Sequence, residues 1–321
     1  MRILLTLCAT GACALALAVL VAGDRFWPLD LLTFFWPLAT TGALVLMLLA
    51  LAFGGRAGRL VSLLALGLCA VPFLLLPPAP DSAAGQKLRV LTANVYVGNP
   101  DPKPLVALLT REQPDIVVMQ ETRWHFVEAI RGSGLYPFES EGTLDEADDK
   151  KVFSRYPIRQ QEQLSDLPGL KTERHAMRLV IDSPMGPVVL YAIHPDTPRS
   201  QRGWDERNTY LERLAAAIRG EADDAHVVIA GDWNLPAYSP FFRRFFASTD
   251  YRFARPGIWL PITRFATALA RYGYFGSTID HVAVSPNTRV TAWERGADIG
   301  SNHLPVIVDL ALPAVDAVAS L

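Results

Sequence analysis

The chain has 321 residues, 50% hydrophobic and 19% charged, with a formal net charge of −2. That near-neutral balance argues against a protein built for tight, non-specific nucleic-acid binding, which calls for a clear basic excess. All three cysteines, Cys8, Cys13 and Cys69, fall in the first quarter, so the remainder has neither a disulfide framework nor a thiolate nucleophile.

The apolar residues are concentrated at the start. Before Pro77 the only charged residues are Arg2, Asp24, Arg25, Asp30, Arg56 and Arg59. Ile3 to Ala22, Leu31 to Phe53 and Leu60 to Leu76 are apolar runs, and a helix needs about 20 such residues, with about 17 as the lower limit, to cross a bilayer. Residues 1–76 are therefore expected to form an anchor of three transmembrane helices in a lipid bilayer. Small residues near the end of the first run also fit a cleavable signal peptide, but a cleaved signal leaves the next two runs unexplained. Arg2, Arg56 and Arg59 outweigh Arg25, which Asp24 offsets, so the positive-inside rule puts the N-terminus in the cytoplasm and everything after Leu76 outside. Trp27, Phe34, Phe35 and Trp36 open the second run, where they fit either an interfacial belt or helix packing. No span carries an interior charge, which disfavours a transport pathway. Residues 77–86, rich in Pro, Ala and Ser, read as a linker.

Residues 87–321, 235 in number, suit one large domain with its own core. Strand patterns dominate it: Lys87 to Val97, Asp115 to Thr122, Ala176 to Ser183, Pro187 to His194, His226 to Asn234, Ser277 to Ser285 and Leu304 to Leu312 are short, β-branched and bounded by turn residues. Helical stretches intervene, notably Pro104 to Glu112 and Trp204 to Gly220, the latter with an apolar stripe at Leu211, Leu214, Ala215 and Ile218. The expected class is α+β, a four-layered α/β-sandwich of two packed mixed sheets flanked by helices.

The polar residues fall at the ends of these strands: Asn94, Glu121, His194, Asp232 with Asn234, and Asp280, with Ser301-Asn302-His303 just before the last one. A polar group closing an apolar strand is costly without a partner. Taken singly, each has an ordinary reading. Asp232 can be a turn aspartate, His194 a structural histidine, Asn94 a bulge residue, Glu121 a solvated strand end and His303 a cap. Together they are better explained by one shared site at a rim of the sandwich.

These residues lie in blocks that resemble the endonuclease/exonuclease/phosphatase superfamily, the DNase I-like fold. "LRVLTANVYVGN", "PDIVVMQET", "VFSRYPI", "LYAIHPDTP", "VVIAGDWNLPAYSP", "STIDHVAVS" and "GSNHLPVIVDL" occur in family order over about Leu88 to Leu312. The closest likeness is to the bacterial branch with a hydrophobic N-terminal anchor, which implies a bacterial inner membrane and a periplasmic catalytic domain. The resemblance implies a phosphoesterase that uses Mg²⁺ or Mn²⁺. Glu121 would be the main metal ligand with Asn94 beside it, and Asn302 a third candidate. Asp232 and Asn234 would orient water and phosphate, His303 held by Asp280 would act as base or relay, and His194 would hydrogen-bond or protonate the phosphate. Arg123, Asn234 and His194 are the candidate substrate-binding residues. Hard oxygen ligands suit such metals, and a His–Asp pair suits proton transfer near neutral pH. The substrate is expected to be a phosphate ester, a phosphodiester before a phosphomonoester: the resemblance implies nuclease-type or general phosphodiesterase chemistry on nucleic acid, with a phospholipid or lipid-linked phosphate as the alternative, and nothing implies a protein partner.

Two departures stand out. The family's last motif reads Ser-Asp-His, whereas this chain has Ser301-Asn302-His303, which removes a negative charge and weakens metal affinity unless Asp298 compensates. A membrane-anchored binding protein with a decayed site is the rival reading. The stretch from Phe241 to Gly276 is aromatic and arginine-rich, fitting either packing over the sandwich edge or contact with a bilayer or an anionic substrate.

Overall fold

Because most strands are apolar at successive rather than alternate positions, both faces of each sheet require cover. The computed structural model describes residues 1–80, 87–142, 144, 149–265 and 275–312, which leaves 81–86 of the linker and 266–274 of the arginine-rich stretch, with Arg271, outside the described residues. In chain order the elements are α1 (Arg2–Ala22), α2 (Trp27–Leu31), a 3-10 turn (Leu32–Phe35), α3 (Trp36–Phe53), α4 (Arg56–Leu74), β1 (Lys87–Asn94), α5 (Lys103–Glu112), β2 (Ile116–Gln120), α6 (Trp124–Ser133), β3 (Phe138–Glu139), β4 (Lys151–Ser154), β5 (Ile158–Gln163), β6 (Met177–Ser183), β7 (Gly186–Ile193), α7 (Gln201–Ile218), β8 (His226–Asp232), α8 (Pro240–Ala247), β9 (Arg252–Ala254), β10 (Arg264–Phe265), β11 (Gly276–Ser277), β12 (Asp280–Val284), β13 (Arg289–Arg295) and β14 (Val306–Ala311).

Two six-stranded sheets form, ordered β13-β14-β1-β2-β4-β3 and β5-β6-β7-β8-β12-β9, with β10 and β11 as a separate pair. Each large sheet has one parallel pair at its centre, β1 with β2 and β7 with β8, and is otherwise antiparallel. Alternation along each strand sorts the side chains into layers. Val90, Val118, Val308, Leu190, Val228 and Val282 meet between the sheets. Leu91, Val117 and Met119 face outward onto Leu105 and Leu108 of α5 and Phe126 and Ile130 of α6. On the other side Tyr191, Val227 and Ile229 face Leu211, Leu214 and Ile218 of α7 and the phenylalanines of α8. The expected four-layered sandwich is the fold observed.

The three helices Arg2–Ala22, Trp27–Phe53 (α2, the turn and α3 together) and Arg56–Leu74 are long and apolar enough to cross a membrane. They pack on one another, and Trp36 Nε1 and Thr40 Oγ1 both donate to the Cys69 carbonyl, at 2.9 and 3.2 Å. Arg59, on the first turn of α4, donates to the Ala50 carbonyl at 3.3 Å near the C-terminal end of α3, where a cation is favoured.

The apolar helices join the sandwich through the turn between the first two of them. Asp30 is fully buried. Its Oδ2 accepts from Arg207 Nη2 at 2.7 Å and Trp204 Nε1 at 2.9 Å, and its Oδ1 from Ser239 Oγ at 2.6 Å. Trp27 Nε1 donates to the Pro198 carbonyl at 2.8 Å, and Arg244 pairs with Asp24 at 2.7 Å. The turn between the first two apolar helices and the end of the third, where Phe73 packs on Tyr238, both lie against the sandwich.

The phenylalanines of α8 settle part of the Phe241 to Gly276 stretch. Phe242, Phe245 and Phe246 pack around Trp233, so this portion covers the second sheet. Ile258 and Trp259 stay exposed, with the Trp259 ring 4.8 Å from Phe73 near the end of α4.

His281 lies in this aromatic cluster, beside Trp233, Phe242 and Phe253, with its Nε2 2.9 Å from the Leu235 carbonyl. Burial pulls its imidazole down from 6.5 to about 4. A folded-state value below the unfolded one stabilises the fold above the unfolded value, and that stability is lost as pH falls. The melting temperature is expected to drop progressively from pH 6.5 to about 4, and His281→Gln should flatten this acid limb. Thermal unfolding across that range is the measurement.

Candidate active site

The parallel pairings decide where the polar strand ends meet. Asn94 closes β1 in register with Gln120 of β2, so Glu121 follows beside it. Ile193 is in register with Gly231, which places His194 next to Asp232. A Cβ on Gly231 would sit 2.0 Å from the Ile193 carbonyl oxygen, so only glycine allows this approach. Antiparallel β12 then sets Asp280 opposite Asp232. Asp280 begins its strand, whereas the sequence places Ser277 at that start. Ser277 instead belongs to the β10–β11 pair, and β12 runs opposite to β8, so its first residue reaches the same rim.

All of the sequence-predicted residues come together here. Asn94 Nδ2 donates to Glu121 Oε1 at 3.0 Å and to Asp232 Oδ2 at 3.1 Å, while its Oδ1 accepts from the Tyr96 amide at 2.9 Å. Glu121 Oε2 accepts from the Val97 amide at 2.9 Å. Asp232 Oδ1 accepts from the Asn234 amide at 2.8 Å, and Asn234 Nδ2 donates to the Pro195 carbonyl at 3.0 Å. His303 Nδ1 lies 3.0 Å from Asp280 Oδ2, and its Nε2 lies 3.8 Å from Asp232 Oδ2. His194 Nε2 approaches the same oxygen at 3.7 Å. Glu121 and Asn234 hold positive φ angles of 51° and 46°, a local strain that hydrogen bonds on both sides sustain.

The electrostatics follow from burial and these neighbours. Burial raises the Glu121 carboxyl, but bonds from Asn94 and Val97 and the nearby His194 and His303 bring it below the usual carboxylate range. Burial, with Asp280 alongside, pushes Asp232 above that range against the pull of His303 and His194. Burial disfavours the His303 imidazolium, yet Asp280 and Asp232 outweigh it and raise the group.

Around these residues opens a cleft of about 890 Å³, lined also by Arg123, Arg174, Arg199, Arg264 and Asn302, within the size range of small-molecule sites. Two donor sets could hold a divalent cation. Asp232, Asp280 and His303 each offer an atom within 4.8 Å of the others. Glu121 supplies an ionised carboxylate, and Asn302 Oδ1 is a buried acceptor with no hydrogen-bond partner. An orphaned amide oxygen and hard carboxylates on one cleft fit Mg²⁺ or Mn²⁺. Asp298 does not take the place of the missing carboxylate. It is exposed, accepts from the Gly300 amide at 2.8 Å and does not line the cleft.

The partners of His194 escape the sequence reading. Asp149 Oδ2 lies 2.8 Å from His194 Nδ1, and Arg174 Nη1 lies 3.2 Å from Asp149 and 2.7 Å from the same imidazole nitrogen. That nitrogen can donate to Asp149 or accept from Arg174, not both. Two carboxylate oxygens within 3.0 Å favour donation, which leaves Nε2 toward the cleft. Burial raises the Asp149 carboxyl, but His194 and Arg174 hold it well below its ordinary range. Asp149 is one of several acidic residues between Glu141 and Lys150, and no periodicity distinguishes it.

The Endonuclease/Exonuclease/phosphatase family matches residues 91–303, and the chain belongs to it. Members are hydrolases that act on phosphate esters and are generally dependent on divalent metals. Among solved structures, the fold is similar to an endonuclease/exonuclease/phosphatase from Beutenbergia cavernae, with 22% identity, a TM-score of 0.53, and 71% of this chain and 72% of the other covered. It is likewise similar to a sphingomyelinase C from Streptomyces griseocarneus (18%, TM-score 0.52, 70% and 99%) and to D. rerio TDP2 humanized by 14 mutations (16%, TM-score 0.55, 70% and 98%). At these identities the likeness is one of fold. No curated protein matches the sequence.

Restoring the carboxylate at position 302 supplies the charge that the amide lacks. Asn302→Asp is expected to tighten Mn²⁺ binding by about tenfold, the lower end of what altered groups around a metal produce. Calorimetric titration of the full chain checks this.

Proposed function

We propose that this chain is a membrane-anchored, divalent-metal-dependent phosphodiesterase. The observation that carries this reading is the convergence of Glu121, His194, Asp232, Asn234 and His303 on one cleft, backed by Asn94 and Asp280, beside an orphaned Asn302 oxygen. A divalent cation held by Glu121, with Asn302 and the Asp232–Asp280 side as further donors, would neutralise charge on the phosphate oxygens. Asp232 and the Asn234 amide would orient the attacking water. His303, with Asp280 on its Nδ1, would take up a proton through Nε2. His194, fixed by Asp149, would hydrogen-bond the phosphate as charge builds, with Arg123, Arg174 and Arg264 around it. The domain division is part of the reading: residues 1–76 anchor, 77–86 link and 87–321 carry the chemistry, in a bacterial inner membrane with the cleft outside.

Among substrates, one presented at the bilayer surface is favoured by a specific observation. The anchor touches the cleft rim at Pro198, whose neighbours Thr197 and Arg199 line it. Exposed Ile258 and Trp259 sit beside the end of α4, as interfacial residues do. A phospholipid phosphodiester is therefore weighed beside nucleic acid. Comparing phosphate-ester hydrolysis in liposomes with plasmid nicking separates the two.

Glu121→Gln is expected to abolish hydrolysis of either substrate while leaving the melting temperature within a few degrees. Retained activity would remove the metal-ligand role. The pH profile supplies a second check. A base must be neutral to accept a proton, and Asp280 and Asp232 keep His303 protonated above its ordinary 6.5. Activity should therefore fall as pH drops, with a midpoint above 6.5. Asp280→Asn should move that midpoint down, because it removes the neighbouring negative charge.

A further inference from the structure

The anchor's aspartate reaches the cleft through one intermediary. Arg207 is fully buried. Its Nη2 donates to Asp30 at 2.7 Å and to Asn208 Oδ1 at 2.7 Å, and its Nη1 donates to the backbone carbonyl of Asn234 at 3.3 Å. Asn234 is the residue whose amide nitrogen binds Asp232 and whose side chain lines the cleft, at a φ of 46°. A non-glycine residue in that conformation costs energy and persists only where its surroundings fix it. Three contacts do so here: Asp232 at its amide, the Pro195 carbonyl at its side chain, and Arg207 at its carbonyl.

Asp30 in turn determines where the guanidinium lies. A buried guanidinium without a counter-charge is strongly unfavourable. Asp30 is the only carboxylate within ion-pair distance of Arg207 among the described residues. Asn208 supplies a neutral acceptor but no charge. The same carboxylate also fixes Ser239, whose hydroxyl caps α8 by accepting from the Phe241 amide at 3.2 Å. Both flanks of the Asp232–Ser239 loop are thus tied to one side chain of the anchor.

We propose that Asp30 is a positioning residue for the candidate active site, acting through Arg207 to hold Asn234 in its left-handed conformation, so that the first turn of the anchor completes the catalytic unit. This rests on the phosphoesterase reading for its kinetic consequence and on the geometry alone for its structural one.

The experiment uses the full chain in detergent, comparing Asp30→Asn, Arg207→Gln and the charge-balanced pair of both. Amide hydrogen exchange is followed over 231–239, with Mn²⁺-dependent hydrolysis of a nitrophenyl phosphodiester and melting temperature measured in parallel. Asp30→Asn should speed exchange in 231–239 relative to β1 and β2, lower kcat and leave KM nearly unchanged. The pair removes the unbalanced charge, so its melting temperature should recover toward the parent's. Its kcat should stay low, because the guanidinium no longer meets the Asn234 carbonyl. If kcat recovers together with the melting temperature, or if exchange in 231–239 is unaltered in Asp30→Asn, the proposal is overturned and the pair is merely structural. If the parent chain hydrolyses nothing, the phosphodiesterase reading fails, and the exchange measurement still decides the role of Asp30.

Discussion

The carboxylate of Asp232 is the point on which the site depends. It is almost fully buried, and it binds across the sandwich: Asn94 of the first sheet donates to it, while Asn234, His194 and His303 reach it from the second sheet and the loop before β14. Without it, the two sheets would present their polar ends to each other with no shared acceptor. With it, the ends are held near 3 to 4 Å, and its negative charge, with that of Asp280, raises the His303 imidazole in a place where burial alone would lower it. The backbone makes this possible through one close approach, that of Gly231 to Ile193.

Much of this was legible beforehand. Strands such as His226 to Asn234 are apolar to their last residues and then turn polar, and a strand of that kind cannot end in a core without a partner for its polar group. The two-layered core and the convergence at one rim follow from that pattern repeated along the chain. The expected strands run past the observed ends, by three residues at Val97 and two at Asn234, because the polar residues that close the site lie at or just beyond the last ladder bonds.

What was not legible has a common cause: its signal lies in neither spacing nor period. Asp149 is one acid among several, and only the fold selects it for His194. Arg174 sits in a mixed polar run, and its role comes from the side chains it faces. Asp30 reads as an isolated charge beside an apolar run, because its partners lie in α7 and before α8. The aromatic stretch divides within itself. Phe242, Phe245 and Phe246 recur at helical spacing and are buried, whereas Ile258 and Trp259 are adjacent, lie in a loop and face outward.

The Asp30–Arg207 contact joins residues 177 positions apart. At synthesis rates of about 5–20 residues per second, roughly 9 to 35 seconds separate the appearance of the two on the growing chain. The turn between the first two apolar helices thus exists long before the helix that receives it. Its aspartate must stay hydrated through that interval, and docking of the nascent sandwich onto it is a late event. The contact thus joins the first third of the chain to its middle third, and a chain truncated before α7 would leave the Asp30 carboxylate without the partners that surround it.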